Sequence, residues 1–135
     1  MKPTFNRILL KLSGEILSGE GGTGIDTKRL NAFAKEICEI HDMDIDVAIV
    51  LGGGNIFRGA AGTQDLDRTT GDYMGMMATL INCLAFQDAI EKLNIPSRVL
   101  SAINVSQVAE PYIRRRALRH LEKKRNRATP PMPKF

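Results

Sequence analysis

Two loops of this sequence carry residue types that bind anions. The first is Lys11-Leu12-Ser13-Gly14, in which a lysine lies near the end of a short apolar run. The second is Gly52-Gly53-Gly54-Asn55, followed closely by Arg58. Consecutive glycines leave backbone N–H groups unshielded by Cβ atoms, and we expect a helix N-terminus directly after them. Because lysine and arginine add positive charge, these residues together indicate phosphate binding.

Each of these features also has an interpretation without a ligand. Three glycines can form a tight turn or allow a helix to pack closely on a sheet. Lys11 can extend from an apolar strand into solvent, as lysines commonly do. Asp72 follows Gly71 at the start of a long helical segment, where it can be an N-cap or can accept hydrogen bonds from ligand hydroxyls. The chain has no GxxxxGK[ST] motif, which argues against a P-loop.

The apolar pattern places both loops at one edge of a parallel sheet. Arg7 to Leu12 and Asp46 to Leu51 are short apolar runs, typical of strands buried on both faces. Between them, Asp26 is predicted to cap an amphipathic helix whose apolar stripe includes Cys38. Strand, helix and strand form a βαβ unit, so we expect a parallel sheet with both loops at its carboxyl edge, where α/β proteins bind ligands.

The rest of the chain is predicted as a long helix, a third strand, a basic helix and a tail. The segment from Thr69 to Leu93 is apolar on nearly every face, which indicates burial within the domain or between subunits. Residues 98–103 read as a strand and 112–124 as a helix. No apolar strand is predicted after Glu122. We therefore expect one half-domain over 1–124 and a disordered, basic, proline-rich tail over 125–135.

Charge and cysteine content exclude several classes of function. The net charge of +4 arises entirely within residues 114–135, and the run Arg114 to Arg116 has no interleaved aromatics. A solvated helix face is therefore favoured over a nucleic-acid site. No apolar run has bilayer-spanning length, so we expect a cytoplasmic protein without membrane contact. Cys38 and Cys83 form no CxxC motif, and neither a zinc site nor a disulfide framework is predicted. His41 and His120 are predicted at the surface.

Three motifs carry a resemblance to a known family. They are Arg7-Ile-Leu-Leu-Lys-Leu-Ser-Gly-Glu15, Gly52-Gly-Gly-Asn-Ile-Phe-Arg-Gly59 and Gly71-Asp-Tyr-Met-Gly-Met-Met-Ala-Thr79. In this order they resemble the N-terminal half of the bacterial uridylate kinases, a branch of the amino-acid kinase family. The resemblance runs from about Arg7 to Lys123. It implies a three-layer, parallel-sheet α/β fold of the amino-acid kinase type, truncated to its first half.

The resemblance also implies an activity and the residues that serve it. The activity is transfer of the γ-phosphoryl group of ATP to UMP, giving UDP for pyrimidine nucleotide synthesis, with Mg²⁺ accompanying ATP. A homohexamer, activation by GTP and inhibition by UTP are implied as well. Carried over position by position, the ATP contacts are Lys11, Leu12, Ser13, Gly14, Gly54 and Arg58, of which Lys11 and Arg58 have the catalytic role. The UMP contacts are Gly53 and Asp72. The segment associated with GTP is Gly19, Glu20, Gly21, Gly22, Thr23 and Gly24. No residue is implied as a metal ligand.

The sequence departs from the family after Lys123. The family continues with a core strand, a loop that grips UMP and a second half that binds the ATP base and ribose, whereas this chain ends in a proline-rich segment. We therefore expect that the 135-residue chain alone does not phosphorylate UMP. The alternative function is that of a noncatalytic half-domain that self-associates or binds phosphate weakly.

Overall fold

The computed structural model describes residues 3–57 and 65–123, together with the backbone of 126–129. The strands are β1 (Arg7–Leu12), β2 (Asp46–Leu51), β3 (Ser97–Ser101), β4 (Glu110–Pro111) and β5 (Asn126–Thr129). The helices are α1 (Thr27–Asp42), α2 (Arg68–Glu91) and α3 (Arg114–Glu122), and a short 3-10 helix covers Gly14–Leu17. The predicted strand, helix and strand of the first 51 residues are confirmed.

The five strands form one parallel sheet in the order β1-β2-β5-β3-β4. Strands β1 and β2 pair along their full length, from Arg7 opposite Asp46 to Leu12 opposite Leu51. This register ends both strands at the same level of the sheet. The loops that follow Leu12 and Leu51 therefore begin side by side at the carboxyl edge, as the sequence predicted.

Helix α1 begins where its cap residue predicts. The Asp26 carboxylate accepts hydrogen bonds from the backbone N–H groups of Lys28 and Arg29, at 2.9 and 3.2 Å. These bonds satisfy two of the amides that the first turn of a helix leaves without an intrahelical acceptor. The apolar stripe of α1 then buries Leu30, Ala34 and Ile37 against the sheet and α2.

Alternate side chains of β2 point to the two faces of the sheet. Val47, Ile49 and Leu51 are fully buried in the core beneath α1 and α2, where the rings of Phe33 and Phe86 lie 5.1 Å apart. Burial of this apolar set stabilises the fold by roughly 1.5–3 kcal/mol for each large side chain. These two helices therefore form one layer against the sheet.

The other face of the sheet carries α3 and is only partly covered. Ala48 and Val50 line a groove of about 380 Å³ together with Tyr112 and Leu118. Because helices lie on both faces, the expected three-layer architecture is confirmed. Leu9, also on this face, is 66% exposed, so the prediction that β1 is buried on both sides is wrong. The reason is that β1 is the last strand of the described sheet and Leu9 lines the open groove between the sheet and α3.

Strand β5 corrects the expectation that no strand follows Glu122. Its backbone at Asn126–Thr129 inserts between β2 and β3, with Ala128 paired to both Ile49 and Val99. The disordered tail predicted for 125–135 is therefore wrong at 126–129, and the other tail residues lie outside the described part of the chain. Strand pairing uses backbone N–H and C=O groups, so a gap between two parallel strands can admit a segment whose side chains lack an apolar pattern.

Helix α2 has two differently buried halves. Its second half is embedded in the core, where Asn82, Cys83 and Ile90 are fully buried. Its first half exposes three large apolar side chains, Tyr73, Met74 and Met77, and Ile81 just beyond the midpoint is exposed as well. Burial within the domain thus explains the apolar residues in the second half of the helix. For the exposed apolar residues, burial between subunits stays a prediction. Among the described residues, no helix is both long enough and apolar enough to cross a membrane.

Candidate functional site

The first anion-binding loop leaves β1 at the carboxyl edge of the sheet. Lys11 is exposed and lies opposite Val50 in the β1–β2 pair. Ser13 caps the 3-10 helix that follows, because its Oγ accepts a hydrogen bond from the Glu15 N–H at 3.2 Å. The loop thus keeps a cation in solvent at the strand end, where the sequence predicts it.

The two loops interlock through their backbones. The Gly52 N–H donates to the Leu12 carbonyl at 2.8 Å. A Cβ on Gly14 would lie 2.6 Å from the Gly52 carbonyl oxygen and 2.8 Å from Asn82 Nδ2, so no side chain can be accommodated there without movement. The two loops that are predicted to share one site are therefore in contact at Gly14 and Gly52.

The glycine loop after β2 forms one turn. The Gly53 carbonyl accepts hydrogen bonds from the N–H groups of Ile56 and Phe57, at 2.9 and 3.0 Å. The expected helix N-terminus directly after the glycines is not found in the described residues 52–57, and α2 begins at Arg68. A run of glycines has low helix propensity, which is consistent with a turn. Arg58 lies outside the described residues.

The glycines of this loop have different surroundings. A Cβ on Gly53 would lie 2.8 Å from the Cβ of Ala78 and 2.9 Å from the backbone nitrogen of Thr79. Close packing on a helix, the ligand-free interpretation of the triple glycine, therefore holds for Gly53. At Gly54, by contrast, no heavy atom of the described structure lies within 4 Å of an added Cβ. Close packing on a helix therefore does not account for the glycine at position 54.

A buried pair of asparagines lies beneath the loop. The side chains of Asn55 and Asn82 hydrogen-bond to each other through both amides, at 2.7 and 3.1 Å. Asn82 Nδ2 also donates to the Gly52 carbonyl at 2.7 Å. Sequence reasoning missed this pair. The signal that could have found it is an asparagine in the apolar part of α2, since a buried amide needs partners.

The glycine-rich segment 19–24 is attached to the same asparagine. Gly24 N–H donates to the Asn55 carbonyl at 2.7 Å, and Asn55 Nδ2 donates to the Gly24 carbonyl at 2.8 Å. Gly22 and Gly24 adopt φ of +71° and +70°, the left-handed region that glycine tolerates without cost. Because of these bonds, the segment associated with GTP by resemblance lies next to the glycine loop.

Asp72 lies inside α2, and the interpretation of it as an N-cap is wrong. The helix begins at Arg68 with Asp67 as its N-cap residue. Asp72 is exposed, six residues before Ala78, which is roughly 9 Å along the helix axis. Gly53 packs against Ala78. The two predicted UMP-binding residues, Gly53 and Asp72, are therefore separated by this short stretch of α2. The interpretation of Asp72 as an acceptor of ligand hydrogen bonds stays a prediction.

The cysteines and one histidine belong to the packing of the fold. Burial raises the pKa of Cys83 to about 12, and burial together with the charge of Asp42 raises the pKa of Cys38. Both thiols are thus poor nucleophiles, and for Cys38 this agrees with its predicted position on the apolar stripe of α1. His120 is buried with its Nε2 3.0 Å from Oε2 of Glu110, so its predicted surface position is wrong. The cause is the packing of α3 on β2 and β5, since β2 is distant from α3 in the sequence.

Comparison with known proteins identifies the family. A sequence profile of the amino acid kinase family matches residues 6–132. The chain belongs to the amino acid kinase family. The structure resembles the UMP kinase of Bacillus anthracis with a TM-score of 0.87 and 41% sequence identity, over 93% of this chain and 52% of that one. It resembles the UMP kinase of Ureaplasma parvum with a TM-score of 0.85 and 38% identity, over 93% of this chain and 55% of that one.

The amino acid kinase match covers the whole candidate site. Residues 6–132 include both interlocked loops, segment 19–24 and α2. They also include β5, so the strand that the apolar pattern did not predict lies within the family region. The chain spans about half the length of the two solved UMP kinases.

Proposed function

We propose that this chain carries the phosphate-handling half of a UMP kinase, which transfers the γ-phosphoryl group of ATP to UMP. The observation that supports the proposal best is the interlocking of the two anion-binding loops. The Gly52 N–H lies 2.8 Å from the Leu12 carbonyl, directly after the exposed Lys11. Because two solved structures that this chain resembles are UMP kinases, UMP is the proposed acceptor.

The site fits the demands of phosphoryl transfer. This reaction asks a protein for alignment of donor and acceptor and for positive charge on the transferring oxygens. Lys11 supplies an exposed cation at the strand end, and Gly54 is proposed as a contact of a phosphate because no described heavy atom lies near its Cβ position. Preorganised dipoles of this kind need no rearrangement when charge develops in the transition state. Lys11 and Arg58 are proposed to act on the transferring group, while Leu12, Ser13, Gly14 and Gly54 contact ATP.

The acceptor is proposed to lie between Gly53 and Asp72. Gly53 packs on Ala78, and Asp72 lies roughly 9 Å away along α2, so a phosphate at the loop would be separated from hydroxyl groups near the carboxylate. An ionised carboxylate accepts hydrogen bonds from ribose hydroxyls and repels phosphate, so the two positions favour one orientation of UMP.

Magnesium is proposed as an ion carried by the phosphates of ATP. Among the residues that the structure describes, no cluster of three His, Cys, Asp or Glu side chains is available to hold a metal. A protein cage for Mg²⁺ is therefore not assigned to this part of the chain. The ion usually enters kinases bound to nucleotide phosphates and water, which requires few protein ligands.

Regulation and assembly follow the same proposal. The segment 19–24 is the proposed contact for GTP as an activator, because Asn55 connects it to the catalytic loops. UTP is the proposed inhibitor, since it presents the base of UMP with additional phosphates. A homo-oligomer, a hexamer in the full-length family, would bury the exposed apolar residues of α2.

A noncatalytic half-domain that self-associates or binds phosphate weakly is the second candidate. The observation that favours it is the exposure of apolar side chains on both β1 and α2, with Leu9 at 66% and Tyr73 at 57%. Such surfaces mark sites of association with other chains.

A coupled assay of UDP formation tests the proposal. The chain is incubated with ATP, Mg²⁺ and UMP, alone and mixed with a separately expressed C-terminal half of a UMP kinase. We expect turnover only in the mixture, and its loss in Lys11→Ala. The C-terminal half alone is the control, and it must show no turnover. A mixture without activity, in which the two halves nevertheless bind each other, would favour the noncatalytic candidate.

A further inference from the structure

The Asn55–Asn82 pair holds one peptide group of the glycine loop in a fixed orientation. Asn82 is fully buried and Asn55 is 2% exposed, so their amides have little access to water. Asn82 Nδ2 donates to the Gly52 carbonyl at 2.7 Å and to Asn55 Oδ1 at 2.7 Å. Leaving the Gly52 carbonyl or either amide unsatisfied in this position would be costly, and the bonds therefore resist rotation of the peptide.

The orientation of the Gly52 carbonyl decides where the next N–H points. The peptide between Gly52 and Gly53 is planar and trans, so its C=O and N–H are directed oppositely. With the carbonyl turned inward to Asn82, the Gly53 N–H is directed away from the buried pair. Glycine peptides flip easily because no Cβ hinders either orientation. Without Asn82, the N–H would thus sample inward and outward directions.

We propose that Asn82, supported by Asn55, is a positioning residue that holds the Gly53 N–H in the orientation that receives a phosphate. Asn55 contributes by accepting one hydrogen bond from Asn82 and by donating one to it. It also holds Gly24 through two further bonds, so the glycine loop, segment 19–24 and α2 meet at this pair. The inference rests on the proposed function, since it needs an anion at this loop.

Asn82→Asp is the sharpest test, because the change keeps the shape and removes the N–H donor. An ionised carboxylate would face the Gly52 carbonyl and repel it. A protonated carboxyl has one O–H that can replace the lost donor. Titration of the ¹⁵N-labelled chain with inorganic tripolyphosphate measures affinity and reports the Gly53 amide resonance directly. Asn31→Asp makes the same chemical change on the exposed face of α1 and serves as the matched control.

We expect tripolyphosphate to shift the Gly53 resonance in the wild-type chain. In Asn82→Asp at neutral pH, the affinity for tripolyphosphate should fall by about tenfold or more. This is the loss expected when the Gly53 N–H no longer donates a hydrogen bond to the charged phosphate. Relative to wild type at each pH, that deficit should shrink as the pH falls and the introduced carboxyl gains its proton. Asn31→Asp should match wild type throughout.

The results separate a failure of the proposed function from a failure of this inference alone. A wild-type chain whose glycine amides do not respond to tripolyphosphate would overturn both the proposed function and this inference. A wild-type response at Gly53 that Asn82→Asp retains at full affinity would overturn the inference alone. If Asn82→Asp does not fold, the wild-type chain still decides: the Asn82 side-chain NH₂ must be protected from hydrogen exchange and Gly53 must respond, and failure of either overturns the inference.

Discussion

Gly53 packs so closely on α2 that a Cβ attached to it would lie 2.8 Å from the Cβ of Ala78. This contact ties the glycine loop after β2 to the helix that carries Asp72 and Asn82. It also makes the loop sensitive to the size of the residue at position 53, because the loop and α2 cannot move apart without exposing the core.

Gly53→Ala is therefore expected to destabilise the fold. The added methyl group forces the loop or α2 to move, which should lower the free energy of unfolding by about 1–3 kcal/mol. Gly54→Ala is the matched control, since no described heavy atom lies within 4 Å of an added Cβ. Urea titration of the three chains measures the difference. Equal midpoints for the two variants would contradict the packing at Gly53.

Burial of Cys83 predicts a loss of stability at alkaline pH. Its thiol has an unfolded pKa of 9.0, and burial raises the folded pKa to about 12. Between these values the unfolded chain releases a proton that the folded chain retains. The contribution of Cys83 to stability is thus fully present below pH 9 and declines above it, by at most about 1.4 kcal/mol per pH unit.

The measurement compares the urea midpoints of wild type and Cys83→Ala from pH 7 to pH 10.5. The variant loses some stability at every pH because a cavity forms, but the difference from wild type should shrink as the pH rises above 9. Cys38→Ala serves as the second reference, because Cys38 is only partly buried. A difference for Cys83→Ala that is constant over the whole range would contradict the burial of the thiol.

Lys11→Ala is expected to weaken triphosphate binding. One charge-assisted contact is worth roughly 1.5–3 kcal/mol, so affinity should fall by about tenfold to a hundredfold. Because lysine and the glycine amides recognise phosphate charge, uridine and adenosine without phosphates should bind far more weakly than their triphosphates. Calorimetry with ATP and adenosine measures both effects, with Lys35→Ala on the exposed face of α1 as control. Equal affinity for ATP and adenosine would contradict the assignment.

The exposed apolar residues of α2 predict self-association. Tyr73, Met77 and Ile81 recur every four residues and so form a stripe on one side of the helix. Met77→Lys should shift the chain toward monomer in sedimentation velocity, because a charge in an apolar interface is costly to desolvate. Asn31→Lys on the exposed face of α1 makes the same change in net charge and is the control. A wild-type chain that is monomeric at high concentration would refute an interface here.

Local patterns in the sequence predicted the elements that position the site. The apolar runs Arg7 to Leu12 and Asp46 to Leu51 became paired strands, and Asp26 capped α1. These features depend on neighbouring residues alone: the period of apolar side chains, a cap and a run of glycines. The shared edge of the two loops then follows from the rule that a βαβ unit makes its strands parallel.

Contacts between distant segments were decided only by the tertiary structure. Pairing of Asn55 with Asn82 joins residues on different elements, and no local pattern sets its geometry. The burial of His120 and the exposure of Leu9 likewise depend on where α3 lies. Strand β5 forms because two neighbours offer backbone partners on both sides. The residue types that bind phosphate can thus be recognised from short segments of the sequence. The orientation of the peptide groups in these segments, by contrast, arises from burial and hydrogen bonding across the fold.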